Sequence, residues 1–230
     1  MAILYVVATP IGNLEDISLR ALRVLREVKL IAAEDTRKTR RLLNAYNIET
    51  PLTSYHEHSK RAKLDHLLGY LEKEDLALVS EAGMPGLSDP GYDLIVAAIE
   101  RGISVVSVPG PSAVITALVV SGLPTDQFVY VGFLPRRKGQ RQRLLSSISD
   151  EARTIVAFEA PHRVGEALTD IEEILGDRRV SVCRELTKVH EEVFRGRMSQ
   201  AREHFAEPRG EFSLVIEGKT RAWLKFQERS

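Results

Sequence analysis

Apolar and polar positions follow two rhythms along this chain. Short apolar runs, "ILYVVA" (3–8), "KLIAAE" (29–34), "LALVS" (76–80) and "ISVVSV" (103–108), have the length and composition of buried strands. Between them the apolar positions open to helical spacing. In "ISLRALRVLREV" (17–28), Ile17, Leu19, Leu22, Leu25 and Val28 recur near one turn apart, with arginines between them. The same rhythm predicts helices at "TRKTRRLLNAY" (36–46), "KRAKLDHLLGYLEK" (60–73), "GYDLIVAAIERG" (91–102) and "PSAVITALVVSG" (111–122), the last two closed by Gly102 and Gly122. Strand and helix alternate to about residue 122, which predicts a mainly parallel sheet with helices on both faces.

The pattern then changes. "QFVYVGFL" (127–134) and "RTIVAFEA" (153–160) read as strands, "KGQRQRLLSSI" (138–148) and "HRVGEALTDIEEILG" (162–176) as helices. "RRVSVCREL" (178–186), "EEVFRGRMS" (191–199) and "GEFSLVIEG" (210–218) are clustered strands, with a short helix "SQAREHF" (199–205) among them. Clustered strands predict a mixed α+β sheet with some antiparallel pairing. The expected architecture is therefore α/β in two domains, 1–122 and 123–219, joined near "GLPTDQ" (122–127) and followed by a polar tail, 220–230. Repeats of fixed period and low-complexity tracts do not occur.

Three of the first domain's strands end in loops of unusual chemistry: "ATPIGNLED" (8–16), "SEAGMPGLSDPG" (80–91) and "VPGPSA" (108–113). Glycine lets backbone approach a ligand closely, and proline holds a loop open before binding. One such loop is ordinary punctuation between elements. Three at the carboxyl edge of one parallel sheet predict a ligand site, since open α/β sheets bind ligands there. Neither the dinucleotide G-x-G-x-x-G nor the phosphate loop G-x-x-x-x-G-K-[ST] is present, and H-E-x-x-H and G-x-S-x-G are missing too. His56 and His58 stand two apart in "YHEHS", but no cysteine or third histidine is near, so no metal is expected. The loops suit a ligand held by backbone groups and apolar contacts.

Charge narrows the partners. The 230 residues carry 32 Lys+Arg and 32 Asp+Glu, a formal net charge of zero. A global pull toward nucleic acid is absent, so RNA binding requires local patches. Two exist: "TRKTRR", with Arg37, Lys38, Arg40 and Arg41, and "PRRKGQRQR", with Arg136, Arg137, Lys138, Arg141 and Arg143 and no acid. Charge runs are usually solvated faces. Both of these follow strand ends, and a phosphate-contacting role is the favoured reading. Cys183 is the only cysteine, which excludes an intrachain disulfide and predicts a buried apolar thiol. The N-terminal run is short, lacks a preceding basic residue and ends at Pro10 and Gly12, so it reads as a strand and not a signal peptide. No run approaches the ~20 apolar residues of a membrane helix. A cytoplasmic protein is expected.

The motifs "LYVVATPIGNLEDISLRAL", "AAEDTRKTRRLL", "SEAGMPGLSDPG", "VPGPSA", "GFLPRR", "FEAPHR" and "CRELTKVHEE" together resemble the ribosomal RNA small subunit methyltransferase I family, within the tetrapyrrole-methylase superfamily. The resemblance runs from residue 3 to about 218; the combination is specific, and no one motif is. It implies 2′-O-methylation of a cytidine ribose in the decoding region of 16S ribosomal RNA, with S-adenosylmethionine as donor. It also implies a two-domain α/β fold with the cofactor in the cleft between domains, and a homodimer. Members often carry a further small helical segment at the C-terminus. This chain stops at Ser230, so the segment is expected to be missing or vestigial.

Carried over by motif, Gly83, Met84 and Pro85 line the methionine side of the cofactor, with Pro10 in the first loop. Pro109, Ser112 and Ala113 come from "VPGPSA", and Phe158 and Glu159 from the end of "TIVAFE". Leu186, Thr187, Phe212 and Ser213 are adenosine-pocket candidates, and plain core packing is the rival reading for Phe158. A ribose hydroxyl is a poor nucleophile, so a base is needed. Glu34, Asp35, Glu81 and Glu159 are all candidates; ion pairing of Glu34 and Asp35 with Arg37 and Arg40 competes with that role. His162 and Arg163 of "APHR" reach the target nucleotide or cap the following helix. Two other functions remain open. A C-methyltransferase of a tetrapyrrole precursor shares fold and cofactor but has no need of the two basic stretches. A non-catalytic RNA-binding factor has no need of the "EAGMPG" loop.

Overall fold

The computed structural model describes residues 2–56 and 61–219. His58, the expected helix start at Lys60 and the tail from Thr220 lie outside the described residues. The chain forms two compact units, Met1–Ser112 and Ala113–Ser230.

The first unit holds a five-stranded sheet, entirely parallel, in the order β3-β2-β4-β1-β5. The strands are β1 (Ile3–Val7), β2 (Leu30–Ala33), β3 (Leu52–Ser54), β4 (Leu76–Val79) and β5 (Ser104–Val108). The connecting helices are α1 (Leu19–Glu27), α2 (Thr36–Ala45), α3 (Arg61–Leu71) and α4 (Tyr92–Glu100). Alternate residues along a strand face opposite sides, and β4 shows both halves of that rule. Ala77 and Val79 join Leu22, Leu25, Leu42 and Leu43 beneath α1 and α2, while Leu76 and Leu78 join Leu67, Leu71 and Leu94 beneath α3 and α4. Both faces are covered, as a parallel sheet requires. Edge strand β3, three residues long, was not expected; it is too short to show a period.

The second unit begins with α5 (Ala113–Val120), which packs on two strands of its sheet, β7 and β10. The units therefore divide ten residues before the boundary expected from sequence, at Ser112/Ala113. The remaining elements are β6 (Phe128–Phe133), α6 (Lys138–Ser147), β7 (Thr154–Glu159), α7 (Pro161–Leu175), β8 (Arg179–Arg184), β9 (Glu192–Arg197), α8 (Met198–His204) and β10 (Phe212–Ile216). The sheet order is β6-β7-β10-β8-β9. Only β6 and β7 are parallel; β10 runs antiparallel to both β7 and β8, and β8 to β9. One face packs Ile155, Ala157, Leu214 and Val182 against the Leu168 side of α7 and Met198 of α8. Cys183 is buried, as expected of an apolar thiol. No helix among the described residues is long and apolar enough to cross a membrane.

Candidate active site

Strand order brings the three loops together. β4, β1 and β5 are neighbours and parallel, so the loops after residues 79, 7 and 108 leave the same sheet edge side by side. The first two are stitched together: Thr9 N–H donates to the Gly83 carbonyl at 2.9 Å, and Gly83 N–H to the Thr9 carbonyl at 3.0 Å. Gly83 has φ +78°, a conformation open to glycine and strained for other L-residues. A Cβ there would meet only ordinary contacts, Ile11 at 3.5 Å and the Pro111 carbonyl at 3.8 Å. Backbone conformation, not crowding, therefore demands glycine. Pro10 and Met84 are half-buried, Pro85 is buried, Pro109 is exposed, and Ser112 and Ala113 are half-buried.

β2 lies next to β4, and this places the first unit's acids at one edge. Asp35 is the N-cap of α2, accepting from Arg37 N–H at 2.8 Å and Lys38 N–H at 3.3 Å, with Arg37 paired to it at 3.6 Å. Those backbone bonds hold its carboxyl below the usual range. Asp35 is thereby a capping residue, which disfavours it as the base. Glu81 is paired with Lys38. Glu34 accepts the Glu81 N–H at 3.1 Å and fastens the end of β2 to the loop after β4. Asp89 was not among the sequence candidates. Burial raises its carboxyl to about 6 against a hydrogen bond from Ser80, with the nearby negative charge of Glu34 adding to the rise. The available signal was its place in the Gly/Pro loop "GLSDPG"; its neighbours depend on strand order.

The basic cluster on α2 is surface-facing: Arg37, Lys38 and Arg41 are exposed and Arg40 is half-buried. In "PRRKGQRQR", Arg136, Arg137, Lys138 and Arg143 are exposed. Arg141 corrects the sequence reading. It is 1% exposed and bonds Asp170 of α7 at 2.6 Å, with Glu166 at 3.4 Å. The stretch contains no acid of its own, but α7 supplies two, so Arg141 is an interior ion-pair residue and not a phosphate contact. Lys138 stands 3.8 Å from the same Asp170 while staying exposed.

Phe158 and Glu159 are adjacent on β7 and face opposite sides. Phe158 is half-buried with Tyr130 and Phe133 around it. Glu159 is 1% exposed, on the α7 side; it pairs with Arg163 at 2.6 Å and accepts the Ala160 N–H at 2.7 Å. Burial raises its pKa despite the cations Arg163 and Arg141 nearby. A carboxylate enclosed and paired this way is a poor acceptor for a proton from a bulky nucleotide, and the base role moves away from it. His162 is exposed, while Arg163 reaches inward to the Leu134 carbonyl at 3.4 Å.

Phe212 is also corrected. It is 3% exposed and packs edge-to-face on Phe205 at 5.3 Å, so its side chain belongs to the core. Ser213, one residue on, faces the other side beside Phe158 in register. After β8 the chain enters a tight loop in which Glu185 (φ 52°) and Thr187 (φ 65°) are both left-handed. Such strain clusters at ligand sites. Leu186 is buried, and the Thr187 hydroxyl is buried without a hydrogen-bond partner among the described residues.

Each unit by itself carries a feature that suits part of a nucleoside-type cofactor: in the first, Gly83 presents backbone without a side chain, and in the second, Thr187 presents a buried hydroxyl with no hydrogen-bond partner among the described residues. Among the described residues no group of three or more His, Cys, Asp or Glu is arranged to hold a metal ion.

The tetrapyrrole (corrin/porphyrin) methylase family matches residues 3–202. The chain is 52% identical over 219 residues to the ribosomal RNA small subunit methyltransferase I of Halalkalibacterium halodurans, covering 94% of this chain and 75% of that one. It is 51% identical to the protein of the same name from Thermotoga maritima, covering 95% of this chain and 100% of that one. Among solved structures, a uroporphyrin-III-C-methyltransferase from Thermus thermophilus superposes with TM-score 0.67 at 19% identity, covering 94% of each chain. A diphthine synthase superposes with TM-score 0.70 at 15% identity, covering 98% of this chain and 94% of that one. These two speak to fold alone. The profile match and the identity to its relatives agree with the motifs: the chain belongs to the ribosomal RNA small subunit methyltransferase I family of tetrapyrrole methylases.

Proposed function

We propose that this protein transfers a methyl group from S-adenosylmethionine to ribosomal RNA, at the 2′-oxygen of a cytidine ribose in the decoding region of 16S RNA. The observation that carries the reading is the coincidence of a glycine-strained cofactor loop with exposed arginines in the same chain. A macrocycle enzyme has use for the first only. The motif resemblance supports the finer assignment, and the names of the relatives support the RNA class.

S-adenosylmethionine, when bound, supplies an electrophilic methyl on a sulfonium. The chain's own tasks are to hold that group, align a hydroxyl with it, exclude water and accept a proton. Gly83, Met84 and Pro85, with Pro10, Pro109, Ser112 and Ala113 from the adjoining loops, hold the cofactor's methionine side. By the same motif resemblance, Thr187, Leu186 and Ser213 would take the adenosine side, Thr187 through a hydroxyl that has no hydrogen-bond partner among the described residues.

For the proton, the acids after β2 and β4 are the candidates retained, and Asp89 joins Glu34 and Glu81. A base serves best with a pKa near the working pH, and Asp89, raised to about 6, stands nearer to it than an ordinary carboxylate. Arg37, Arg40, Arg41, Arg136, Arg137 and Arg143 contact phosphates, and the enzyme works as a homodimer in the cytoplasm. The test is tritium transfer from labelled S-adenosylmethionine to small ribosomal subunits lacking the modification. Label in the RNA is expected. Label in a tetrapyrrole precursor and none in RNA would replace this reading with the C-methyltransferase.

A further inference from the structure

We propose that Phe133 is a stacking platform for an unpaired RNA base, presented beside the arginines that bind the neighbouring phosphates. This rests on the RNA reading above and adds to it a contact for the nucleotide base.

The chain builds the platform with one irregularity. β6 pairs regularly with β7 through Tyr130↔Val156, and then Phe133 pairs with Phe158. Three steps on β6 thus match two on β7, so one extra residue is inserted on β6. Gly132, at φ 71°, takes up the distortion. In a regular strand, residue 133 would face away from residue 130, toward the side covered by α7 and α8. The bulge turns it back to the Tyr130 and Phe158 side, and Leu134, next in sequence, goes inward instead, 2% exposed.

Phe133 is left 53% exposed, yet its ring is held. It lies edge-to-face on Phe158 at 5.4 Å, and Phe158 lies edge-to-face on Tyr130 at 5.2 Å. A rigid, half-open ring loses little freedom when a flat partner covers it. The peptide that follows is pinned at both ends. Leu134 N–H donates to the Phe158 carbonyl at 3.1 Å, and the Leu134 carbonyl accepts from Arg163, itself held by Glu159. The buried Glu159–Arg163 pair thereby positions the turn that leads to Arg136 and Arg137, both exposed.

The occupant follows from the chemistry. An apolar protein partner has no need for adjacent exposed arginines, and a phosphate alone has no need for an exposed ring. A nucleotide uses both, stacking its base on the ring while cations contact the backbone. Stacking tolerates any base, so Phe133 holds the strand and does not select the cytidine.

The experiment measures anisotropy of a labelled single-stranded cytidine-containing RNA titrated with the full chain, for wild type, Phe133→Leu and Phe133→Trp. Calorimetry with S-adenosylmethionine and light scattering are run alongside. Leucine keeps the contact with Phe158 but has no π-face, so affinity should fall roughly 5- to 150-fold, the loss for one base–aromatic stack. Tryptophan should restore it. The salt slope of binding should stay unchanged in both variants, because the ring carries no charge. Equal RNA affinity in wild type and Phe133→Leu, when wild type binds, would overturn the platform and leave the RNA reading standing. Loss of cofactor affinity in Phe133→Leu would make the ring part of the cofactor pocket, and a change in oligomeric state would make it a subunit contact; either overturns the proposal. A wild-type chain that binds no RNA would overturn both readings.

Discussion

Replacing Asp89 by asparagine should stabilise the protein at neutral pH while removing activity. Burial raises this carboxyl from 3.8 to about 6, with Glu34 adding to the effect. The folded state therefore holds the proton more tightly than the unfolded chain does. The associated stability is fully present below the unfolded value of 3.8 and is lost as pH rises through about 6. About two pKa units at ~1.4 kcal/mol each give an upper bound of about 3 kcal/mol, and partial solvent access lowers the expected effect to about 2. Asparagine carries no charge and can accept the bond from Ser80. Urea unfolding followed by circular dichroism should show little stability difference near pH 4 and a gain of about 2 kcal/mol for Asp89→Asn near pH 7.5. Methyl transfer by the variant should fall about 10²- to 10⁴-fold, the usual contribution of a general base. Wild-type activity should rise with pH through about 6. A stability difference independent of pH would refute the raised carboxyl. A gain in stability with full activity would move the base to Glu34 or Glu81.

Three further outcomes are expected. Asp170→Asn leaves the Arg141 guanidinium buried and poorly paired, so it should cost about 3–5 kcal/mol in urea unfolding. The salt dependence of RNA binding should not change under conditions where that variant stays folded. Reversing Arg136 and Arg137 to glutamate should do the opposite, keeping stability within about 0.5 kcal/mol and cofactor affinity intact. It should flatten the salt slope by about 1.5 for two lost phosphate contacts; an unchanged slope would exclude them from the interface. Gly83→Ala should lower stability by about 1–2 kcal/mol, since the residue is held left-handed while its Cβ position is uncrowded. Cofactor affinity measured by calorimetry should fall as well.

Much of the fold was legible because each element has a clean period. Four strands of the first unit are short apolar runs, and α1 and α2 carry their leucines at helical spacing. Edge strand β3 was not, since three residues, none of them buried, show no rhythm. The three loops at one edge were legible too, because glycine and proline mark backbone needs locally. Long-range neighbours were not. That β2 lies beside β4 sets Glu34 against the loop of Glu81 and Asp89, and no local pattern encodes that adjacency. Arg141 and Asp170 lie 29 positions apart, and their pairing follows from α6 packing on α7. The same holds for Phe133, whose exposure depends on a bulge at Gly132 that reads in sequence as an unbroken strand.

The most direct measurement is the chemical position of the transferred methyl group. Small subunits lacking the modification would be incubated with the enzyme and labelled S-adenosylmethionine, and the RNA then subjected to alkaline hydrolysis. Alkaline cleavage of RNA needs a free 2′-hydroxyl. The expected result is label retained in an alkali-resistant dinucleotide that begins with a cytidine, absent with Gly83→Val and reduced with Asp89→Asn. Label released in mononucleotides would place the methyl on a base and contradict ribose methylation.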